Sequence, residues 1–164
     1  MKRIIANWKC LGSRKDLAQL HQKIVTAIPQ PRNSLVVLLP APLLGLWQQY
    51  GWPSWVQLGA QCVYPEAGAY TGAFHPGLLK EVGVTHVCIG HSERRSIFQE
   101  DDQDVLAQYL ACVQAGLVPI LCFGEPKGSA EGAEDRVHVL KAQLAAVFSS
   151  DGFKSLENHD TILA

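Results

Sequence analysis

Short apolar runs alternate with longer stretches of helical character along this chain, and the punctuation between them is regular. The runs that read as strands are Arg3–Trp8, Leu35–Leu39, Val56–Gln61, His86–Gly90 and Val118–Phe123, with a last one opening at Thr161. The stretches between them that read as helices are Arg14–Ile28, Pro42–Tyr50, Gly77–Glu81, Asp101–Ala115 and Asp135–Phe148. In the first helix Leu17, Leu20, Ile24 and Ile28 recur at steps of three and four, which gives one apolar stripe. The helix from Asp101 opens on acidic residues, favourable at the positive end of the helix dipole, and stops at Gly116. Glycine suits the left-handed residue that closes a helix. The strand runs, such as Leu-Val-Val-Leu-Leu, are apolar at both parities. Strands read this way when both faces are buried, as in parallel sheets covered by helices, so the pattern predicts an α/β fold with right-handed crossovers.

Pattern alone does not choose between a doubly wound open sheet and a β/α barrel. A chain of 164 residues is an ordinary length for the first, whereas a complete eight-stranded barrel takes about 250 residues. No linker rich in Gly, Ser or Pro divides the sequence into two domains; the polar Lys127–Glu134 segment reads as a surface loop.

Composition narrows the function classes. At 48% hydrophobic and 18% charged residues the sequence can build a core, and a net charge of −1 offers no footprint for nucleic acid or an anionic membrane. The amino-terminal apolar run is too short for a signal sequence, and the longest apolar stretch, Leu35–Leu39, cannot span a bilayer. The expectation is a soluble cytoplasmic protein. Five widely spaced cysteines (Cys10, Cys62, Cys88, Cys112, Cys122) without a C-x-x-C pair argue against a disulfide framework or a zinc site, and they read as small core residues.

The residues with chemical potential fall at the carboxyl ends of the strand runs, where barrel enzymes gather their working groups. Asn7-Trp8-Lys9 ends the first, His91-Ser92-Glu93-Arg94-Arg95 follows the fourth, and Gly124-Glu125 follows the fifth. Each alone has a plain reading. A lysine at a strand end is usually a solvated charge, a histidine there is usually structural, and Glu-Arg-Arg is usually a surface cluster.

Taken in order, these blocks resemble the triosephosphate isomerase family. Asn7-Trp8-Lys9 is similar to that family's substrate-binding start, and Gly68-Ala69-Tyr70-Thr71-Gly72 to its third loop. Val87-Cys88-Ile89-Gly90-His91-Ser92-Glu93-Arg94-Arg95, with Phe98, Glu100 and Asp102, resembles its fourth-strand signature. Ala115-Gly116-Leu117 with Pro119-Ile120-Leu121-Cys122-Phe123-Gly124-Glu125 resembles its fifth, and Gln143–Val147 fits the helix after it.

The resemblance implies an α/β fold of the (β/α)8-barrel kind, with residues 1–164 forming a partial barrel of five βα units and the start of a sixth strand. It implies interconversion of dihydroxyacetone phosphate and glyceraldehyde 3-phosphate through an enediolate, a step of glycolysis and gluconeogenesis, with no cofactor and no metal. By resemblance Lys9 attracts the phosphate and stabilises developing charge, and Asn7 assists binding. His91 is the electrophile, kept neutral by a helix N-terminus. Glu93 holds Lys9 in a pair. Tyr70 and Thr71 form a protruding loop that reaches a second copy, so a homodimer is implied, with a triose phosphate as the ligand and neither nucleic acid nor membrane as a partner. Arg95 and Glu125 are expected in structural ion pairs, Arg94 in a solvated surface cluster, and Trp8 in the core.

Some positions depart from the family pattern. Ala73 stands where Glu is usual, Cys62 and Leu11 where Asn is common, and Glu134-Asp135-Arg136 is not the usual fifth-loop run. The family's catalytic base, a glutamate in a Tyr-Glu-Pro segment after the sixth strand, is not among the 164 residues, nor are the lid and the phosphate loops that follow it. These residues by themselves are therefore expected to be inactive and poorly soluble. The alternative reading is a truncated, non-catalytic relative that serves as a binding or interaction module.

Overall fold

The computed structural model describes residues 2–27, 32–125, 133–154 and 159–164, with backbone alone at 133–135. Six strands, β1 (Arg3–Asn7), β2 (Ser34–Leu39), β3 (Val56–Ala60), β4 (His86–Ile89), β5 (Val118–Leu121) and β6 (Ile162–Leu163), form one sheet in the order of the sequence. Every pairing is parallel. The helices are α1 (Arg14–Ala27), α2 (Ala41–Leu44), α3 (Pro76–Glu81), α4 (Ser92–Ile97), α5 (Asp102–Gln114), α6 (Ala133–Phe148) and α7 (Asp151–Lys154).

Strand order decides between the two candidate architectures. A doubly wound sheet reverses direction at a switch point and carries helices on both faces. Here the order never reverses, and the two faces are covered differently. Val37, Leu39, Leu58, Ala60, Val87, Ile89 and Leu121 pack into the large core with Leu17 and Ile24 of α1, Val105, Tyr109 and Cys112 of α5, and Val147 of α6. The alternate residues, Val36, Leu38, Cys88 and Ile120, form a second core with Ile5, Cys122 and Ile162, all from strands or their immediate ends. The partial barrel implied by the resemblance is the architecture found, and the doubly wound sheet is not. One face meets helices and the other meets its own neighbours across the concave side of a curled half-barrel. Gly59 belongs to that close packing, since a Cβ there would lie 2.3 Å from Leu38 Cδ2.

Most elements match the sequence pattern, and the differences have local causes. Strands β1, β3, β4 and β5 stop one or two residues short of the apolar runs, so Trp8, Gln61, Gly90, Cys122 and Phe123 lie in the loops beyond them. Trp8 packs against the large core, as anticipated. The single helix expected over Pro42–Tyr50 is instead α2 and a separate 3₁₀ turn at Trp47–Gln49, with Gly45 capping α2. Trp47 stacks on Trp52 at 3.9 Å, and its carbonyl accepts from Tyr50 N and Trp52 Nε1, which bends the chain back instead of prolonging the helix. The end of the first helical stripe, Ile28, lies outside the described residues. Of the segment read as a loop, 127–132 lie outside them too, while 133–134 open α6.

α5 begins with a reciprocal capping box between Asp101 and Asp104, and Gly116 closes it at φ +72° as expected. All five cysteines are free. Cys88 and Cys112 are buried, Cys62 and Cys122 are half-buried, and Cys10 is exposed, so the expectation of a core residue fails at Cys10. No helix among the described residues is long and apolar enough to cross a membrane.

Candidate active site

Two strand ends build the site. After β1 the backbone of Lys9 takes φ +51°, a left-handed conformation uncommon outside glycine that costs on the order of 1–3 kcal/mol and persists only when its surroundings fix it. Two amides do so. Lys9 N donates to Asn7 Oδ1 at 2.8 Å, and Gln61 Nε2 donates to Lys9 O at 2.8 Å. Gln61 Nε2 also reaches Leu38 O at 3.2 Å and Asn7 Oδ1 at 3.3 Å, so the residue after β3 fastens the loop after β1. Gln61 is the functional-site residue that sequence reasoning missed; the only signal was a polar amide directly after a buried strand.

After β4 the chain turns at Gly90, whose φ is +69° and whose Cβ, if it had one, would meet Cys122 O at 3.0 Å and Arg95 Nη2 at 3.2 Å. His91 then caps α4, with its Nδ1 accepting from Glu93 N at 3.2 Å. A ring nitrogen that accepts an N–H carries no proton, so in the neutral ring the donor is Nε2. Glu93 joins the two loops: its Oε1 lies 2.6 Å from Lys9 Nζ, and its backbone N–H is the donor to His91 Nδ1. The side chains of Lys9 and Glu93 are 52% and 43% exposed, so the pair adds at most about 1 kcal/mol to stability. What Glu93 supplies is position: it holds a cation from one strand end through its carboxylate and an imidazole from another through its backbone N–H.

The neighbouring charges are structural. Arg95 Nη1 lies 2.7 Å from Asp102 Oδ1 while its Nε donates to Gly90 O at 3.0 Å, and Arg136 Nε lies 3.4 Å from Glu125 Oε2, as expected. Arg94 corrects the sequence reading. It is not a solvated surface charge: its Nε and Nη2 both donate to Glu100 Oε1, at 2.9 and 2.6 Å, and its guanidinium lies over the Phe98 ring at 4.2 Å. The Glu100 side chain is only 12% exposed, and this hydrogen-bonded pairing raises the arginine's pKa further above its already high value. Gly124 is clasped at both backbone groups by Gln143, whose Oε1 accepts from Gly124 N at 2.9 Å and whose Nε2 donates to Gly124 O at 3.1 Å.

Tyr70 and Thr71 lie apart from this constellation on an exposed loop, and the partners of Tyr70 are within that loop. The Tyr70 hydroxyl donates to the Glu66 carboxylate, which with its charge pushes the phenol up to about 12. Of the departures, Leu11 is 73% exposed, and Ala73 is half-buried with its N–H on Tyr70 O at 3.0 Å. Cys62 is half-buried, and burial pushes its thiol up.

Residues 2–163 match the family model described as Triosephosphate isomerase. The chain belongs to the triosephosphate isomerase family. It is similar to the triosephosphate isomerase of Acidithiobacillus ferrooxidans, with 38% identity over 147 residues, 88% of this chain and 56% of that protein. The Gloeothece citriformis triosephosphate isomerase is 37% identical over 155 residues, 90% of this chain and 64% of that one. The crystal structure of the triosephosphate isomerase from Bartonella henselae superposes with a TM-score of 0.85 at 32% identity, covering 99% of this chain and 66% of that one. The chain thus spans about three-fifths of the length of the curated triosephosphate isomerases it matches. Six consecutive parallel strands in a half-barrel agree with a fragment of that family's barrel.

Proposed function

We propose that these residues supply the binding and electrophilic half of a triosephosphate isomerase site, which interconverts dihydroxyacetone phosphate and glyceraldehyde 3-phosphate. The observation that carries this reading is the joining of Lys9 and His91, from the ends of β1 and β4, through Glu93, whose carboxylate pairs with Lys9 and whose backbone N–H donates to His91. Lys9 would attract the phosphate and offset the negative charge of the enediolate. Its fixed left-handed backbone, fastened by Asn7 and Gln61, keeps that charge in place before substrate arrives. His91, with Nδ1 occupied by a backbone N–H, has Nε2 as its donor toward a developing oxyanion, where a preorganised donor is worth about 3 kcal/mol. Asn7 assists binding beside Lys9, and Glu93 sets the position of both working groups. The reaction needs only proton transfers, so no cofactor enters it. The protein acts in the cytoplasm as a homodimer, with Tyr70 and Thr71 at the interface.

Proton abstraction needs a base, and the 164 residues carry none after β6, so taken alone they give no turnover. The test is an isomerase assay on two polypeptides: residues 1–164, and the same residues continued by the rest of a barrel with a glutamate after its sixth strand. Activity in the second that vanishes in Lys9→Met and His91→Gln supports the reading. Undiminished activity in both substitutions sinks it.

A further inference from the structure

Two thiols with no part in that reaction meet on the concave face of the sheet. Cys88 Sγ, on β4, and Cys122 Sγ, one residue past β5, lie 3.6 Å apart. We propose that Cys88 and Cys122 form a dithiol site for trivalent organoarsenicals, compounds with one carbon substituent on arsenic.

The geometry separates this from a disulfide. Cys88 pairs in register with Ile120, so Cys122 is its diagonal neighbour two residues on. With strands about 4.8 Å apart and a rise of about 3.3 Å per residue, the two Cα atoms are roughly 8 Å apart, beyond the usual reach of about 7 Å for a disulfide. Trivalent arsenic, pyramidal with bond angles of about 100° and bonded to both sulfurs at about the 2.3 Å of a metal thiolate, holds them roughly 3.5 Å apart, close to the spacing found. A four-coordinate metal ion would need two more ligands, and among the described residues no group of three or more His, Cys, Asp or Glu could hold a metal. Trivalent arsenic needs only the two thiols. With those two sulfurs and its own carbon substituent, such an arsenic has its full set of three bonds.

The two sulfurs are also unequal, as a stepwise capture requires. Cys122 is the half-buried one, and it is the thiol that a reagent meets first. Cys88 is 3% exposed, and the contact with Cys122 together with burial pushes its thiol up. Cys122 attacks arsenic first and Cys88 closes the ring. Two As–O bonds of R–As(OH)2 break and two As–S bonds form. Each hydroxide leaves with one thiol proton as water, and no electrons are transferred.

The test uses the full chain with one equivalent of phenylarsine oxide, followed by denaturation, alkylation with N-ethylmaleimide and peptide mapping by mass spectrometry. One phenylarsenic adduct per chain is expected, with Cys88 and Cys122 protected and Cys10, Cys62 and Cys112 alkylated. A dithiol competitor such as 2,3-dimercaptopropanol removes the adduct and a monothiol does not. Cys88→Ser and Cys122→Ser should each weaken binding by about 100-fold, the loss of a chelate. Full alkylation of Cys88 and Cys122 overturns the proposal, and so does protection of Cys62 in place of either. The mapping is done on the unsubstituted protein, so it stands even where a serine variant fails to fold, and its readout does not depend on isomerase activity.

Discussion

Strand β4 starts at one histidine and is followed by another, and the fold treats them in opposite ways. His86, at the amino end, is 3% exposed, with its Nδ1 2.8 Å from Thr85 Oγ1. Burial, helped by the charge of Arg3, pushes it down to about 4 against a smaller upward pull from Asp160. His91, just past the carboxyl end, has a side chain 23% exposed and shares Glu93 with Lys9. The floor of the sheet keeps its imidazole neutral by removing water from it. The mouth instead occupies one ring nitrogen with a backbone N–H and leaves the ring beside ionised groups. The contrast teaches that the buried histidine of this strand bears on stability, while the groups proposed for chemistry lie where strands give way to loops.

Four experiments would break or sharpen that contrast. The largest effect should come from the mouth. In a polypeptide that completes the barrel, His91→Gln or Lys9→Met should lower kcat by roughly 10²–10³-fold, as for loss of a preorganised charge stabiliser. The unfolding free energy should stay within about 0.5 kcal/mol, the range of surface substitutions. A loss of stability without loss of rate would place His91 with His86.

At the floor the effect should appear in pH dependence. With a folded pKa of about 4 against 6.5 for the free side chain, the unfolded chain binds the extra proton between these values. Stability is therefore intact above that window and falls by about 3 kcal/mol as pH drops to 4. Urea unfolding at pH 7 and pH 4.5 should show this slope in the parent and a shallower one in His86→Gln.

At the turn that joins strand to mouth, Gly90→Ala should cost about 2 kcal/mol, because a side chain there must adopt φ +69° against Cys122 O and Arg95. Thermal denaturation would measure it, and an unchanged midpoint would show that the turn can relax. The smallest shift belongs to Glu93→Gln, expected to change stability by less than about 0.5 kcal/mol because its ion pair is half exposed. A larger loss would make the pair a structural strut and weaken its assignment to the site.

The strands were legible because each is an apolar run that neighbouring strands and helices must cover, and α1 and α5 because a stripe or an acidic start marks them. Lys9 and His91 could be named because they directly follow such runs. Other features leave no local trace. α4 has no buried residue, so it shows no apolar period. Arg94 reads as solvent-exposed because its partner, Glu100, lies six residues on, past the end of that helix. Gln61 acts on a loop 52 positions away, and Cys88 meets Cys122 across 34, both through strand register that periodicity along the chain does not reveal.

The strand order has a further consequence for how the chain is made. Each strand from β2 onward pairs with its immediate predecessor, so every sheet contact can form once the later strand has left the ribosome. At roughly 5–20 residues per second, successive strands emerge seconds apart, whereas a helix forms in about a microsecond. Each βα unit therefore has time to settle on the one before it, and the sheet can grow in one direction as it is translated. A slow stretch of codons between two strands would alter the pace of assembly without altering its order.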